Sequence, residues 1–137
     1  MKLIFCVDDN NGMMFNNRRQ SQDSVLRERI VALCSGCVLW MSEYSSKQFC
    51  GTEALKADND YMTKAADDDY CLVEDLDYSL FHCSEVVLYK WNRHYPADRY
   101  FEEDLKAQGF RLASKYEFAG SSHKKITEEI YKKREER

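Results

Sequence analysis

Lys2-Leu3-Ile4-Phe5-Cys6-Val7 runs straight into Asp8-Asp9-Asn10-Asn11-Gly12. An unbroken apolar run of this length predicts a strand covered on both faces, and therefore one at the centre of a sheet. The polar turn then sits at the strand's carboxyl end. Open α/β sheets gather their ligands there, where loops converge and strand order reverses. Asn11 and Gly12 are accordingly the first candidate ligand contacts.

Further along, Leu26, Ile30, Leu33 and Cys34 fall at i, i+4, i+7 and i+8, opposite Arg27, Glu28 and Arg29, which predicts a helix over 23–34. Ser21 or Asp23 can cap its first turn by accepting from an unpaired backbone N–H, and Ser35-Gly36 ends it. Residues 37–41 (Cys-Val-Leu-Trp-Met) and 70–73 (Tyr-Cys-Leu-Val) read as buried strands, with helices over 42–49 and 58–66. Residues 85–91 make another strand. Strands separated by helices imply right-handed crossovers and a mostly parallel sheet. Residues 110–118 and 125–133 alternate apolar with polar positions and are joined by Ala119-Gly120-Ser121-Ser122, the pattern of an antiparallel hairpin on the sheet edge. The expected architecture is a three-layer α/β domain over residues 1–137, with a mostly parallel central sheet flanked by helices and finished by that hairpin.

With 137 residues, one Pro, five Gly and a net charge of −4, the chain has the composition of an ordinary globular domain rather than a disordered or strongly basic one. Nucleic acid is not expected as a partner. The apolar stretch after Met1 is too short for a signal-peptide core or a membrane span, so a cytoplasmic location without membrane contact is expected. In a reducing compartment the six cysteines, Cys6, Cys34, Cys37, Cys50, Cys71 and Cys83, act as small buried hydrophobes.

Val7-Asp8-Asp9-Asn10-Asn11-Gly12-Met13 resembles the first strand and mobile substrate loop of the dihydrofolate reductase family. The helix from Asp23, followed by Val38-Leu39-Trp40-Met41 and Ser42-Glu43-Tyr44-Ser45, is similar to that family's substrate helix, second strand and cofactor-contacting turn. Pro96-Ala97-Asp98-Arg99-Tyr100-Phe101 resembles the stretch after its sixth strand, and the segment from Ser122-His123 to Glu129-Ile130-Tyr131 resembles its last strand. The resemblance implies a dihydrofolate reductase-like fold. It also places Asp23 where the family's acidic residue binds a pterin and assists protonation; the simpler role for Asp23 is helix cap.

Two departures separate the chain from reductase chemistry. Arg18-Arg19-Gln20-Ser21-Gln22 replaces the family's proline-containing entry to the substrate helix. After the strand at 70–73, Glu74 and Asp75 stand in place of the paired glycines that let a backbone approach a pyrophosphate. A carboxylate about 5 Å from a phosphate costs about 3 kcal/mol at an effective dielectric of about 20, against about 0.3–1 kcal/mol contributed by a helix N-terminus. Repulsion wins, so the fold is expected without tight nicotinamide-cofactor binding.

Other groupings carry less. Cys34 and Cys37 have CxxC spacing but no further ligands at finger spacing, and they follow a helix rather than precede one, so no metal site is expected. His82, His94 and His123 form no metal motif; His94, between Arg93 and Tyr95, is the one nearest a cleft in this reading, and a surface turn is its simpler position. Trp91-Asn92-Arg93 can line a pocket, with Trp91 more simply core. The acidic stretch 53–77 reads as a solvated face and the mixed-charge tail 124–137 as an exposed terminus.

The resulting expectation is a polar cleft formed by Asn11, Gly12, Arg18, Arg19, Asp23, Tyr44 and Ser45, binding a small anionic or heterocyclic molecule. Arg18 and Arg19 are its anion clamp. The alternatives are an NADPH-dependent reductase with Asp23 as proton donor or pterin ligand, and an interaction module or homodimer built on the unpaired edge at 110–133.

Overall fold

In the computed structural model, which describes residues 1–49, 55–75 and 78–134, strand β1 (Lys2–Val7) lies at the middle of a seven-stranded sheet. On one side stand β6 (Tyr70–Leu72), β4 (Leu39–Met41) and β5 (Leu55–Ala57); on the other stand β7 (Glu85–Lys90), β10 (Ile126–Lys133) and β9 (Phe110–Phe118). From β5 to β7 the strands run parallel, and β10 and β9 are antiparallel. This is the mostly parallel sheet with a C-terminal hairpin that the sequence pattern implies.

The central place of β1 follows from its alternation. Leu3, Phe5 and Val7 enter one apolar core and Ile4 enters the other, all four without solvent exposure. Each such side chain stabilises the fold by roughly 1.5–3 kcal/mol on burial, so an edge position would forfeit half of them. Helix α1 (Ser24–Leu33) covers the second core with Leu26 and Ile30.

The first core has a different cover. A one-turn helix α3 (Tyr61–Lys64), Leu80, Phe101 and Leu105 lie over it, together with Met13 and Met14. Those methionines belong to a second sheet, ordered β3 (Arg18–Arg19), β2 (Gly12–Phe15), β8 (Arg99–Tyr100). The sequence reading contained no such sheet. The helix expected over 42–49 is the single turn α2 (Glu43–Ser46), and that over 58–66 contracts to α3. Beyond α1, then, loops and short strands supply most of the outer layers.

The tail also differs from an exposed terminus. Residues 126–129 are buried in β10, and Glu128 is buried because Arg29 forks it at 2.8 and 2.9 Å while the Tyr89 hydroxyl donates at 2.8 Å. Burial of that carboxylate is tolerable only with such partners. Strand β9 is one of the sheet's two edges, with residues 111–117 exposed. Arg111, Lys115 and a register irregularity at Ile130/Tyr131 blunt it, the usual protection against strand addition. No helix among the described residues is long and apolar enough to cross a membrane.

Cys6, Cys34, Cys37, Cys71 and Cys83 are free thiols, and burial pushes Cys34 and Cys71 up to about 12. Cys50 lies outside the described residues.

The test of β1 as keystone is Phe5, whose ring packs against Phe101 at 4.7 Å and Tyr78 at 4.9 Å between centroids. Phe5→Ala is expected to lower unfolding free energy in urea by about 3–5 kcal/mol; a loss below about 1 kcal/mol would remove β1 from that role.

Candidate functional site

At the end of β1 the chain turns around Asp8. Its buried carboxylate accepts from the amides of Gly12 (2.7 Å), Asn10 (2.9 Å) and Tyr95 (3.1 Å) and from Gln20 Nε2 (3.0 Å). Burial alone would raise this carboxyl; the amide donors outweigh it and hold it below the usual range. A Cβ at position 12 would stand 2.6 Å from both Ala97 Cβ and Gln20 Nε2, so only glycine lets the turn close this tightly. The turn's polar atoms are consumed in holding β1, β2 and the 95–98 segment together.

The cavity lies beside that turn, between the ends of β1 and β6 and the start of α1. Cys6, Arg19, Ser21, Asp23, Arg27, Gln48, Phe49, Glu74 and Trp91 are among the residues that line it. Arg19 crosses it, with Nε 2.9 Å and Nη2 3.3 Å from the Glu74 carboxylate. Gln48 Nε2 donates to the same carboxylate at 3.2 Å, and Tyr44 lies under the guanidinium at 4.4 Å while its hydroxyl accepts from the Arg19 amide. With this bridge in place the cavity measures about 20 Å³. Such a volume holds a water and no ring system.

Behind the cavity, three segments far apart in sequence meet at His123. Asp23 caps α1 through the amides of Val25 (3.0 Å) and Leu26 (3.2 Å). The same carboxylate accepts from the amides of Ser121 (2.9 Å) and Ser122 (2.8 Å), from Ser122 Oγ, and from His123 Nδ1 at 3.0 Å. Burial pushes the Asp23 carboxyl upward, but these donors prevail and hold it well below the ordinary carboxylate range. With Nδ1 facing the carboxylate, Nε2 faces Ser21 Oγ at 3.2 Å and Tyr95 Oη at 2.7 Å. Trp91 stacks on the imidazole, 4.6 Å between centroids. At Gly120 a Cβ would run into the Asp23 carboxylate and come within 2.9 Å of Ile126 Cδ1, so this glycine admits the 119–123 turn to the carboxylate.

The residues expected to share one cleft divide into groups. Arg19 and Asp23 line the cavity, and Tyr44 supports Arg19. Ser45 is buried and accepts from the hydroxyl of Ser42, the cap of α2. Arg18 is exposed on β3. Asn11, at φ 61°, borders a separate surface hollow with Tyr100 and Phe101, and Gly12 is packed in the Asp8 turn. His94 is exposed and bonded through Nδ1 to Asn10 at 2.7 Å; the histidine behind the cavity wall, bonded to Ser21 and Asp23, is His123. Ser21, His123, Tyr95, Gln48 and Arg27 were absent from the expected set as site residues. No local motif announces them, since Asp23 and His123 are 100 positions apart.

The residues at the end of β6 do not fit a dinucleotide's pyrophosphate. Glu74 is fixed by Arg19 and Gln48, no glycine stands there, and no helix begins between β6 and β7 among the described residues. Nor do the described residues contain a group of three or more His, Cys, Asp or Glu arranged for a metal ion.

The Asp23 bonds set an acid limit. A carboxyl held low in the fold adds stability that is fully present above the unfolded value near about 3.9 and is lost as pH falls toward the folded value. Wild-type protein is therefore expected to lose stability steeply below about pH 4, whereas Asp23→Ala, weaker by about 3 kcal/mol at neutral pH, loses less over the same interval. Urea titrations at pH 7 and pH 3 measure both, and equal acid slopes would contradict the assignment.

No protein-family model matches the chain, and no curated protein matches it by sequence. Structural comparison gives a different result. The chain superposes on dihydrofolate reductase from Enterococcus faecalis, solved in complex with NADP(H) and RAB-propyl, with a TM-score of 0.66 at 8% identity. The match covers 98% of this chain and 96% of that one. Strand order, the helix at Asp23 and near-complete coverage agree: the chain has a divergent dihydrofolate reductase-like fold.

Proposed function

We propose that the chain binds a small anionic molecule in the cavity between α1 and the ends of β1 and β6, without nicotinamide-dependent reduction. The observation that carries this reading is Arg27, which lines the cavity and has no ion-pair partner among the described residues. An uncompensated guanidinium in a partly enclosed site concentrates anions and can grip a carboxylate or phosphate bidentately. Arg19 is a second cation on the same wall, held in reserve by Glu74. An anion larger than water enters as Arg19 moves off that carboxylate. A small anion needs less opening of a cavity of about 20 Å³ than a heterocycle does, so it is the simpler occupant.

The absence of reduction rests on Glu74. Its charge is paired by Arg19 only while that bridge is closed, and an incoming diphosphate would compete for the same arginine and then face a carboxylate with only the neutral Gln48 amide beside it.

A thermal melt tests both parts. Malonate at a hundredfold over its dissociation constant adds about 2.7 kcal/mol, worth several degrees in a domain of this size. The expected result is a malonate-dependent rise that Arg27→Gln abolishes, with no rise from NADPH. A rise with NADPH, or a malonate effect untouched by Arg27→Gln, overturns the proposal.

A further inference from the structure

Ser21, His123 and Asp23 stand in the relation of nucleophile, base and orienting acid. The Ser21 hydroxyl lies 3.2 Å from His123 Nε2, and His123 Nδ1 lies 3.0 Å from Asp23 Oδ2. Both separations fall within the reach that activates a serine. Exposure is graded in the required order: Ser21 is half-buried at the cavity wall, while His123 and Asp23 behind it are 3% and 2% exposed. The ring cannot turn away, because Trp91 stacks on it and Asp23 fixes the Nδ1 edge. From this geometry we infer that the site is an acyl-transfer centre that hydrolyses small esters bearing a carboxylate.

The carboxylate follows from the anion-binding reading above and rests on it; the nucleophile does not. Arg19, Arg27 and Ser21 line one cavity, so once Arg19 has moved off Glu74 to open it, an ester whose acyl half ends in a carboxylate can pair with a guanidinium while presenting its carbonyl to the serine and leaving its alcohol half at the mouth. Ser21 Oγ adds to the carbonyl carbon and its proton passes to His123 Nε2. Collapse of the tetrahedral adduct breaks the bond to the alcohol oxygen, which takes that proton and departs, leaving the acyl group on Ser21 Oγ. Water then adds to the acyl carbon, yields a proton to Nε2, and the carboxylic acid leaves as Ser21 recovers its proton. Asp23 stays ionised throughout and orients the imidazole.

One neighbour completes the arrangement. Tyr95 Oη lies 2.7 Å from the same Nε2 and can accept a hydrogen bond from it once the serine proton has arrived.

The relay and the anion reading are tested separately. A fluorophosphonate probe is expected to attach to Ser21 of the wild-type protein, located by peptide mass spectrometry, and to attach neither to Ser21→Ala nor to His123→Gln. Mono-4-nitrophenyl succinate is expected to be hydrolysed, with Ser21→Ala about 10³-fold slower at an unchanged melting temperature. Ser21 Oγ has one hydrogen bond to a described residue, so the alanine variant folds. Failure of the probe to label Ser21, or equal hydrolysis by Ser21→Ala, overturns the relay whatever malonate does in the melt. Labelling of Ser21 with 4-nitrophenyl acetate turned over as fast as the succinate monoester keeps the relay and overturns the anionic substrate.

Discussion

Asp23 is the junction on which this molecule's functional end depends. Its carboxylate starts α1, receives the amides of the turn between β9 and β10, and holds His123 by one ring nitrogen. Without that anion, the helix N-terminus and the 119–123 turn would each present buried donors to nothing, at a cost of about 1–3 kcal/mol for each unsatisfied group. The cost of burying a charge is met by the number of donors converging on it, which also explains why the carboxyl resists protonation. Position, cap and charge are therefore one physical fact, and His123 inherits its orientation from it.

A second charged pair decides what the fold can hold. The sheet order and α1 leave a cavity at the ends of β1 and β6, yet Arg19 and Glu74 span it and hold it to about 20 Å³. The acidic residue that the sequence sets against a diphosphate is, in the structure, half of an ion pair with Arg19. Likeness of backbone at 8% identity thus fixes the frame and leaves the chemistry to the side chains.

Much of the frame was legible because its determinants are local. The run 2–7 reports two-sided burial by its composition, Leu26 and Ile30 report the face of α1, and the alternation in 110–118 and 126–133 reports a hairpin. The second sheet was not legible, since β3 and β8 have two residues each and owe their conformation to β2 rather than to propensity. Strand β9 shows the limit of pattern reading in another way: its alternation predicts a buried face, and at the sheet edge residues 111–117 stay exposed, with Tyr116 covered only by Arg29 and Phe118. Asp23 was visible as a cap from its place before an apolar period. Its bond to His123 was not, because a contact across 100 positions leaves no periodicity, and Ser21 gained meaning only once that histidine was located.

The dependence of His123 on Asp23 can be observed directly in the imidazole nitrogens. A long-range proton–nitrogen correlation spectrum is predicted to show a proton on His123 Nδ1, with a protected, slowly exchanging signal that vanishes in Asp23→Ala. A proton on Nε2 would mean that the ring presents no acceptor to Ser21, and the account of this site would be contradicted.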